Sequence, residues 1–363
     1  MTHGTPAALR SDLGFESILN WARYSCAVGA TVDIEEHRPQ TLTLLVEEDA
    51  MNYPYGRRAR VRPFVVAALI GAGSAGASAA DAESAKADVG ISGAPTTPDP
   101  YHELETKYLF GFTEGADIGA EGEKSIELET TTQFGRRGGG YGTVEQEVEF
   151  EGVPSQFWAY ELSAHGFGYS VDGVQGLVNA RGADFSGLSA EFRYLVIGRG
   201  PGSPIGLTLT AEPEWARYDD GGQPIQDYNV TFRVVADTEL ISNRLYAAAN
   251  LVYSPDYARS RLEPWETSSV WGATGALAYR VTPKVTLGGE VEYYRDYGGF
   301  GLQSLQGRAL YLGPTLQIQF TGEVMLSAAW STEVTGHASG ENFGLDLTNF
   351  PQQRGNLKFE VEF

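Results

Sequence analysis

The sequence predicts an all-β fold: a transmembrane, antiparallel, up-and-down β-barrel of about 12 strands. Three observations predict it. The last eight residues, Asn356 to Phe363, alternate apolar and polar and stop on a phenylalanine. From Gly122 onward, twelve segments repeat that alternation, each near the length a tilted strand needs to cross a bilayer. Tight connections alternate with mostly longer, polar ones, which puts turns at one end of a barrel and loops at the other.

The chain has 363 residues, enough for one large β domain or two ordinary ones. Its 45 Gly, 19 Tyr and 17 Phe, against 3 Met and 1 Cys, suit strands and turns more than helices. Mean hydropathy is −0.23, which excludes a bundle of membrane helices. A barrel escapes that measure because only alternate residues meet lipid. The formal charge of −21 argues against a nucleic-acid partner. Cys26 is the single cysteine, so the chain from Met51 onward is free of thiols, as suits export through an oxidising periplasm.

Taken in order, the chain first shows no pattern that continues into the rest. Arg57, Arg58, Arg60 and Arg62 then form a basic cluster, followed by the apolar run Pro63 to Gly71 and small residues through Ala79. These are the three regions of a secretory signal peptide, with an A-x-A site near Ala79. The run is shorter than the roughly 20 residues a membrane-spanning helix needs. Met51 precedes the Arg cluster closely and makes a natural start, so 51–80 is assigned as signal peptide. Residues 1–50 become a misassigned upstream translation or a disordered extension. Residues 81–121 form a flexible periplasmic lead, whose last part, 101–121, could fold back as a plug. Only 7 of the 26 basic and 8 of the 47 acidic residues precede Asp81, so the exported part stays acidic.

The barrel occupies 122–363. Strands are expected at 122–134, 143–151, 156–167, 184–196, 205–217 and 226–237. Six more are expected at 244–254, 267–281, 284–294, 307–320, 323–333 and 355–363. The tight turns fall at 153–155, 200–204, 241–243, 282–283 and 321–322. The longer connections are 135–142, 168–183, 218–225, 255–266, 295–306 and 334–354. The tight set and both barrel ends then face the periplasm, which an even strand count requires.

Parity assigns the lipid face. It takes Ile126, Leu128, Thr130 and Phe134 from the first strand, and Ile205, Leu207, Leu209 and Ala211 from the fifth. The ninth offers Val285, Leu287 and Val291, and the tenth Leu310, Leu312, Leu316, Ile318 and Phe320. Aromatic belts are expected at both rims: Trp158, Tyr279, Phe320 and Phe363 on the periplasmic side, Trp215, Trp271, Tyr293 and Trp330 on the outer side. A soluble β-sandwich or lipocalin-like barrel would share the alternation. It does not account for the signal peptide, the two rims and the terminal Phe together.

The opposite parity is acidic. Glu127, Glu129, Glu145, Glu147, Glu149, Glu161, Glu191, Glu212, Glu214, Glu290 and Glu292 are expected to line the lumen. A simple 135–142 hairpin would set Glu129 across from Glu149, and like charges directly opposite are unfavourable. Arg193, Arg233, Arg280 and Lys358 share the inward parity and are the candidate counter-charges. Two outcomes stay open. The lumen either attracts cations and repels anions, or it is filled by interlocked Glu–Arg pairs with no continuous pore.

Catalytic signals are thin. His165 is the only histidine expected on a strand, and no nucleophile–base spacing accompanies it. Asp219-Asp220 lacks EF-hand spacing, and Gly138-Gly139-Gly140 lacks the lysine and helix of a phosphate cradle. The sequence implies no catalytic residue, no metal ligand set and no cofactor, and an enzyme is not expected.

The C-terminal strand ending in Phe363 resembles the closing strand of Gram-negative outer-membrane barrels, where that end is part of an assembly signal. The stretches Leu109 to Gly119 and Gly122 to Glu129, the turn Phe134-Gly135-Arg136, and Glu212-Pro213-Glu214-Trp215 resemble a family of uncharacterised Gram-negative outer-membrane β-barrel proteins. The resemblance implies a barrel, an outer-membrane address, contact with outer-membrane lipid, and handling by barrel-assembly machinery through the C-terminal strand. It supplies no catalytic residues. The expected function is a passive, cation-preferring channel for small solutes. The alternative is a non-conducting structural or adhesive barrel displaying loops 168–183 and 334–354, which a lumen filled by Glu–Arg pairs would favour.

Overall fold

A computed structural model describes residues 30–33, 45–48, 104–200, 202–260 and 263–363. The signal-peptide segment 51–80 and the lead as far as residue 103 lie outside the described residues. Within 1–50, where the sequence suggests no element, β1 (Ala30–Asp33) and β2 (Leu45–Glu48) pair antiparallel.

From Lys124 the chain forms a closed barrel of twelve strands. They are β3 (Lys124–Phe134), β4 (Gly138–Ser155), β5 (Trp158–Val174) and β6 (Ala180–Ile197). Next come β7 (Ile205–Tyr218), β8 (Pro224–Ile241), β9 (Leu245–Ser260) and β10 (Glu266–Thr282). β11 (Val285–Tyr297), β12 (Leu305–Gln319), β13 (Val324–Ala338) and β14 (Gln353–Glu362) complete it. Each strand pairs antiparallel with the next, and β14 closes on β3 with Lys358 opposite Glu129. The expected strand count and antiparallel, up-and-down order both hold. The even number brings Lys124 and Phe363 to one end, where the Phe363 amide donates to the Lys124 carbonyl at 2.8 Å.

Alternation is carried through into burial. Along β3, Ser125 is 2% and Glu127 1% exposed, while Ile126 is 47% and Leu128 44% exposed. Of the other residues assigned to the lipid face, Phe134, Ile205, Leu209, Leu287, Val291, Leu312 and Phe320 are exposed. Thr130, Leu207, Ala211, Val285, Leu310, Leu316 and Ile318 are half-buried. Apolar side chains outside and carboxylates within is the reverse of a soluble β domain, whose apolar face is its core.

Two expectations change. The strands run further than the apolar alternation at the end opposite the termini. The connection expected at 168–183 shrinks to 175–179, that at 334–354 to 339–352, and that at 135–142 to 135–137. Apolar alternation ends where lipid would end, but the backbone ladder does not need it. The outward residues of the extensions are polar, as at Ser170, Asp172, Arg181 and Asp184. The β3–β4 register also differs by two residues. Glu129 faces Glu147, and Glu127 faces Glu149. The ladder reaches Phe134 opposite Gly142, closing a tighter loop in which Gly135 (φ 77°) and Gly138 (φ 82°) take left-handed backbone. A two-residue shift preserves parity, so the acidic face still points inward.

The barrel is not hollow. Residues 104–119 lie within it as an irregular segment, eleven of the sixteen buried and the other five half-buried. Leu104, Leu109 and Phe110 pack against Tyr246, Ala248, Ala276 and Ala278 of β9 and β10. Three alanines at inward positions leave the room that the larger plug side chains fill. Ile118 packs with Val153 and Ala159 beside the β4–β5 turn.

Candidate functional site: the occluded lumen

Because 104–119 forms no ladder, its backbone groups need partners from elsewhere. The barrel wall supplies them. Glu290 Oε2 accepts the amides of Phe112 at 2.9 Å and Thr113 at 3.1 Å. Asn250 accepts the Glu114 amide at 2.7 Å and donates to the Glu114 carbonyl at 2.9 Å. Asp237 accepts the Ala116 amide at 3.0 Å, and the Thr208 hydroxyl donates to the Ala116 carbonyl at 2.5 Å. The Ser327 hydroxyl donates to the Phe110 carbonyl at 3.3 Å. The segment also closes on itself: the amide and hydroxyl of Thr106 each donate to Asp117 at 2.9 Å. A Cβ on Gly115 would stand 2.1 Å from the Thr106 carbonyl oxygen, so only glycine fits that crossing.

Charge is matched level by level. Nearest the termini, Lys107 reaches from the plug to Glu161 at 2.5 Å, Glu151 at 2.6 Å and Glu149 at 4.0 Å. Burial opposes a charge there, yet Glu151, Glu161 and Glu149 outweigh it and hold the ammonium well above its ordinary value. Lys358 bridges Glu129 at 2.8 Å and Glu127 at 3.4 Å. In the next layer Arg193 meets Glu191 at 2.7 Å and plug Glu114 at 2.8 Å. Arg233 meets Glu191 at 2.5 Å, Glu212 at 3.1 Å and Glu114 at 3.4 Å. Burial alone would raise Glu114, but Arg233 and Arg193 hold its carboxyl well below the usual carboxylate range. Arg199 clamps Asp237 at 2.7 Å and plug Asp117 at 2.8 Å. Arg354 pairs with Glu292 at 2.8 Å and lies 4.2 Å over the Phe112 ring.

Glu145 and Glu147 are half-buried and gather around His165, whose Nδ1 lies 3.4 and 3.8 Å from them. His165 Nε2 is 3.1 Å from Ser189 Oγ, a contact between neighbouring strands that no sequence spacing reveals. It resembles a nucleophile beside a base, but Ser189 lies in the ladder opposite Ser163 and Glu214. Its backbone amide is therefore committed to the sheet and unavailable as an oxyanion donor. Glu214 is half-buried and joins no ion pair among the described residues. Arg280 is 1% exposed and donates to the Pro283 carbonyl at 2.8 Å. At the far mouth Arg136 holds Asp220 at 2.7 Å and the Thr348 carbonyl at 2.9 Å, while Arg137 pairs with Glu341.

Of the aromatic residues, Trp158, Tyr279, Phe320, Trp330 and Phe363 are exposed, and Trp215, Trp271 and Tyr293 half-buried. Trp158 packs on Tyr194 at 4.6 Å, Phe134 on Trp330 at 6.0 Å, and Trp271 on Tyr293 at 6.3 Å.

Sequence reasoning missed Lys107, Glu114, Arg199 and Arg354. Lys107 and Glu114 lie in an aperiodic stretch, and Arg199 in a turn. Arg354 alone left a signal: it shares parity with Lys358, one step before the expected start of the last strand.

Residues 102–363 match the family of unknown function DUF6662. No curated protein sequence matches the chain. Among solved structures, an outer-membrane channel from Pseudomonas putida F1 is similar at 13% identity and TM-score 0.42, covering 74% of this chain and 100% of that one. The translocator domain of the autotransporter NalP from Neisseria meningitidis is similar at 12% identity and TM-score 0.45, covering 68% and 91%. The KdgM porin in complex with disordered oligogalacturonate is similar at 11% identity and TM-score 0.39, covering 66% and 99%. At such identities and scores these likenesses say nothing of what this chain carries.

Proposed function

The chain belongs to the family of unknown function DUF6662, and we propose that it is an outer-membrane channel held shut by its own segment 104–119. The apolar outward face, with aromatic rings among its exposed residues, supports a lipid-embedded barrel. The C-terminal strand ending in Phe363 supports delivery by barrel-assembly machinery. The acidic inward face supports cation preference once the plug moves, with small solutes as cargo and no enzymatic step. One observation carries the reading. Plug residues Lys107, Glu114 and Asp117 each complete an ion pair with the barrel, and these pairs exist only while the segment is inside.

The same pairs favour a second reading, a non-conducting structural barrel. Its adhesive form is weakened by the five-residue connection at 175–179, though 339–352 keeps fourteen residues. Planar-bilayer recording separates the two. The intact protein should be silent, and a variant with 104–119 replaced by a Gly/Ser linker should conduct with cation selectivity. A folded linker variant that stays silent leaves the structural barrel standing.

A further inference from the structure

The registers place Arg295 of β11, Arg308 of β12 and His337 of β13 opposite one another in one outward-facing row. Trp271 of β10 continues the row beside Arg295. The row marks the level at which the apolar outward face ends. Toward the termini, Arg295 is followed by Tyr293, Val291 and Leu287, and Arg308 by Leu310 and Leu312. His337 is followed by Val334 and Trp330. Like charges directly opposite in a ladder repel. The wall does little to relieve them. Arg295 Nε donates to the Tyr293 hydroxyl at 2.8 Å and its Nη1 to the Tyr297 hydroxyl at 3.4 Å, both neutral partners. Among the described residues, Arg308 forms no ion pair and its exposed side chain donates no hydrogen bond. The carboxylates carried by these three strands, Glu290, Glu292, Asp296 and Glu333, all have the inward parity.

The connection between β11 and β12 adds a second observation. Residues 298–304 fold outward over the wall. The Tyr253 hydroxyl donates to the Phe300 carbonyl at 2.7 Å and the Ser269 hydroxyl to the Gly299 carbonyl at 2.7 Å, both from outward positions of β9 and β10. Phe300 and Leu302 of this connection are exposed. A basic row without counter-charge, flanked by exposed apolar side chains and by Trp271 and Tyr293, is complementary to an amphiphile with an anionic head. Guanidinium forks match phosphate oxygens in particular. A phosphomonoester carries about −1.5 to −2 charges near neutrality, enough to offset two arginines, which a phosphodiester does not.

We infer that Arg295, Arg308 and His337 form a docking site for the phosphomonoester headgroup of a membrane lipid, whose acyl chains lie along the outward faces of β11 and β12. The two arginines supply the charge and His337 a further N–H donor. The site rests on the lipid-embedded reading of the outward face, and is independent of whether the barrel conducts.

The test is native mass spectrometry of the full chain released from detergent after incubation with equimolar dioleoyl phosphatidic acid and dioleoyl phosphatidylcholine. One phosphatidic acid should be retained per chain at concentrations that retain no phosphatidylcholine. Arg308→Gln and Arg295→Gln should each weaken that retention by about tenfold. Should Arg295→Gln disturb the wall through its tyrosine contacts, Arg308→Gln, at an exposed and unpaired position, tests the same site. Arg217→Gln, at an exposed outward arginine five strands away on β7, should leave retention unchanged. An equal loss in Arg217→Gln means diffuse attraction and overturns the inference. Sodium phosphate at the lipid's concentration should not compete; equal competition by it assigns the arginines to free phosphate and overturns the inference as well. Equal retention of the two lipids overturns the site and leaves the lipid-embedded barrel standing, whereas retention of neither counts against both.

Discussion

Replacing Lys107 by methionine tests the plug most directly. The side chain is 2% exposed and, among the described residues, is the only ion-pair partner of Glu151. Lys107→Met keeps most of the length and removes the charge, leaving the buried Glu149, Glu151 and Glu161 close together with Arg193, 3.9 Å from Glu161, as the nearest remaining cation among the described residues. Removing one partner of a buried ion pair costs about 3–5 kcal/mol. The wall ladder does not depend on Lys107, so the cost should fall on plug docking and not on the barrel. That range is a shift of about 100- to 4,000-fold between docked and released plug. The readout is maleimide labelling of Ala116→Cys, made in a Cys26→Ser background, because Ala116 is fully buried in the docked state. Lys107→Met should accelerate labelling over that range. Adding Glu149→Gln, Glu151→Gln and Glu161→Gln should restore slow labelling, since removing both sides of a buried pair is close to neutral. A Lys107→Met rate within about threefold of the parent would refute the charge-matching argument.

Two further outcomes are expected. Leu128→Arg places a charge on the outward face between Val148 and Phe359 and should lower barrel stability in lipid by about 2–4 kcal/mol, whereas Val178→Arg in the 175–179 connection should cost about 0–1 kcal/mol; equal effects in urea unfolding from vesicles would argue against a lipid-facing Leu128. Docking should also be acid-sensitive through Glu114. Its folded value lies below its free value near 4.3, so its contribution is present above about pH 4.3 and is lost as pH falls toward the folded value. Ala116→Cys labelling, taken relative to a fully exposed thiol at the same pH to cancel the loss of thiolate, should therefore quicken below about pH 4, and a flat relative profile from pH 7 to 3 would exclude the Glu114 pairs as a source of docking energy.

The barrel was legible because lipid and lumen impose opposite demands on neighbouring residues. Ile126 and Leu128 alternate with Glu127 and Glu129, and no other fold class asks for that with a terminal Phe. Strand ends were less legible. Polar outward residues such as Asp172 and Arg181 keep the ladder without the apolar signal. The β3–β4 register was missed by two residues because turn geometry at Gly135 and Gly138, not hydrophobicity, sets it. Lumen chemistry was legible on one side only. Parity lists wall carboxylates, but partners such as Lys107 and Arg199 come from irregular chain whose path depends on the finished barrel. Ser189 and His165 meet only through the β5–β6 register.

The plug runs through Ala120 and Gly122 straight into Lys124, the first residue of the wall. A displaced segment thus remains leashed at the mouth it vacated. Its sixteen residues reach at most about 55 Å when drawn out, so they search a small volume at high effective concentration. Reclosure is then a first-order event, with a rate indifferent to how many copies the membrane holds. Dilution, washing or loss of neighbours cannot leave such a pore permanently ajar.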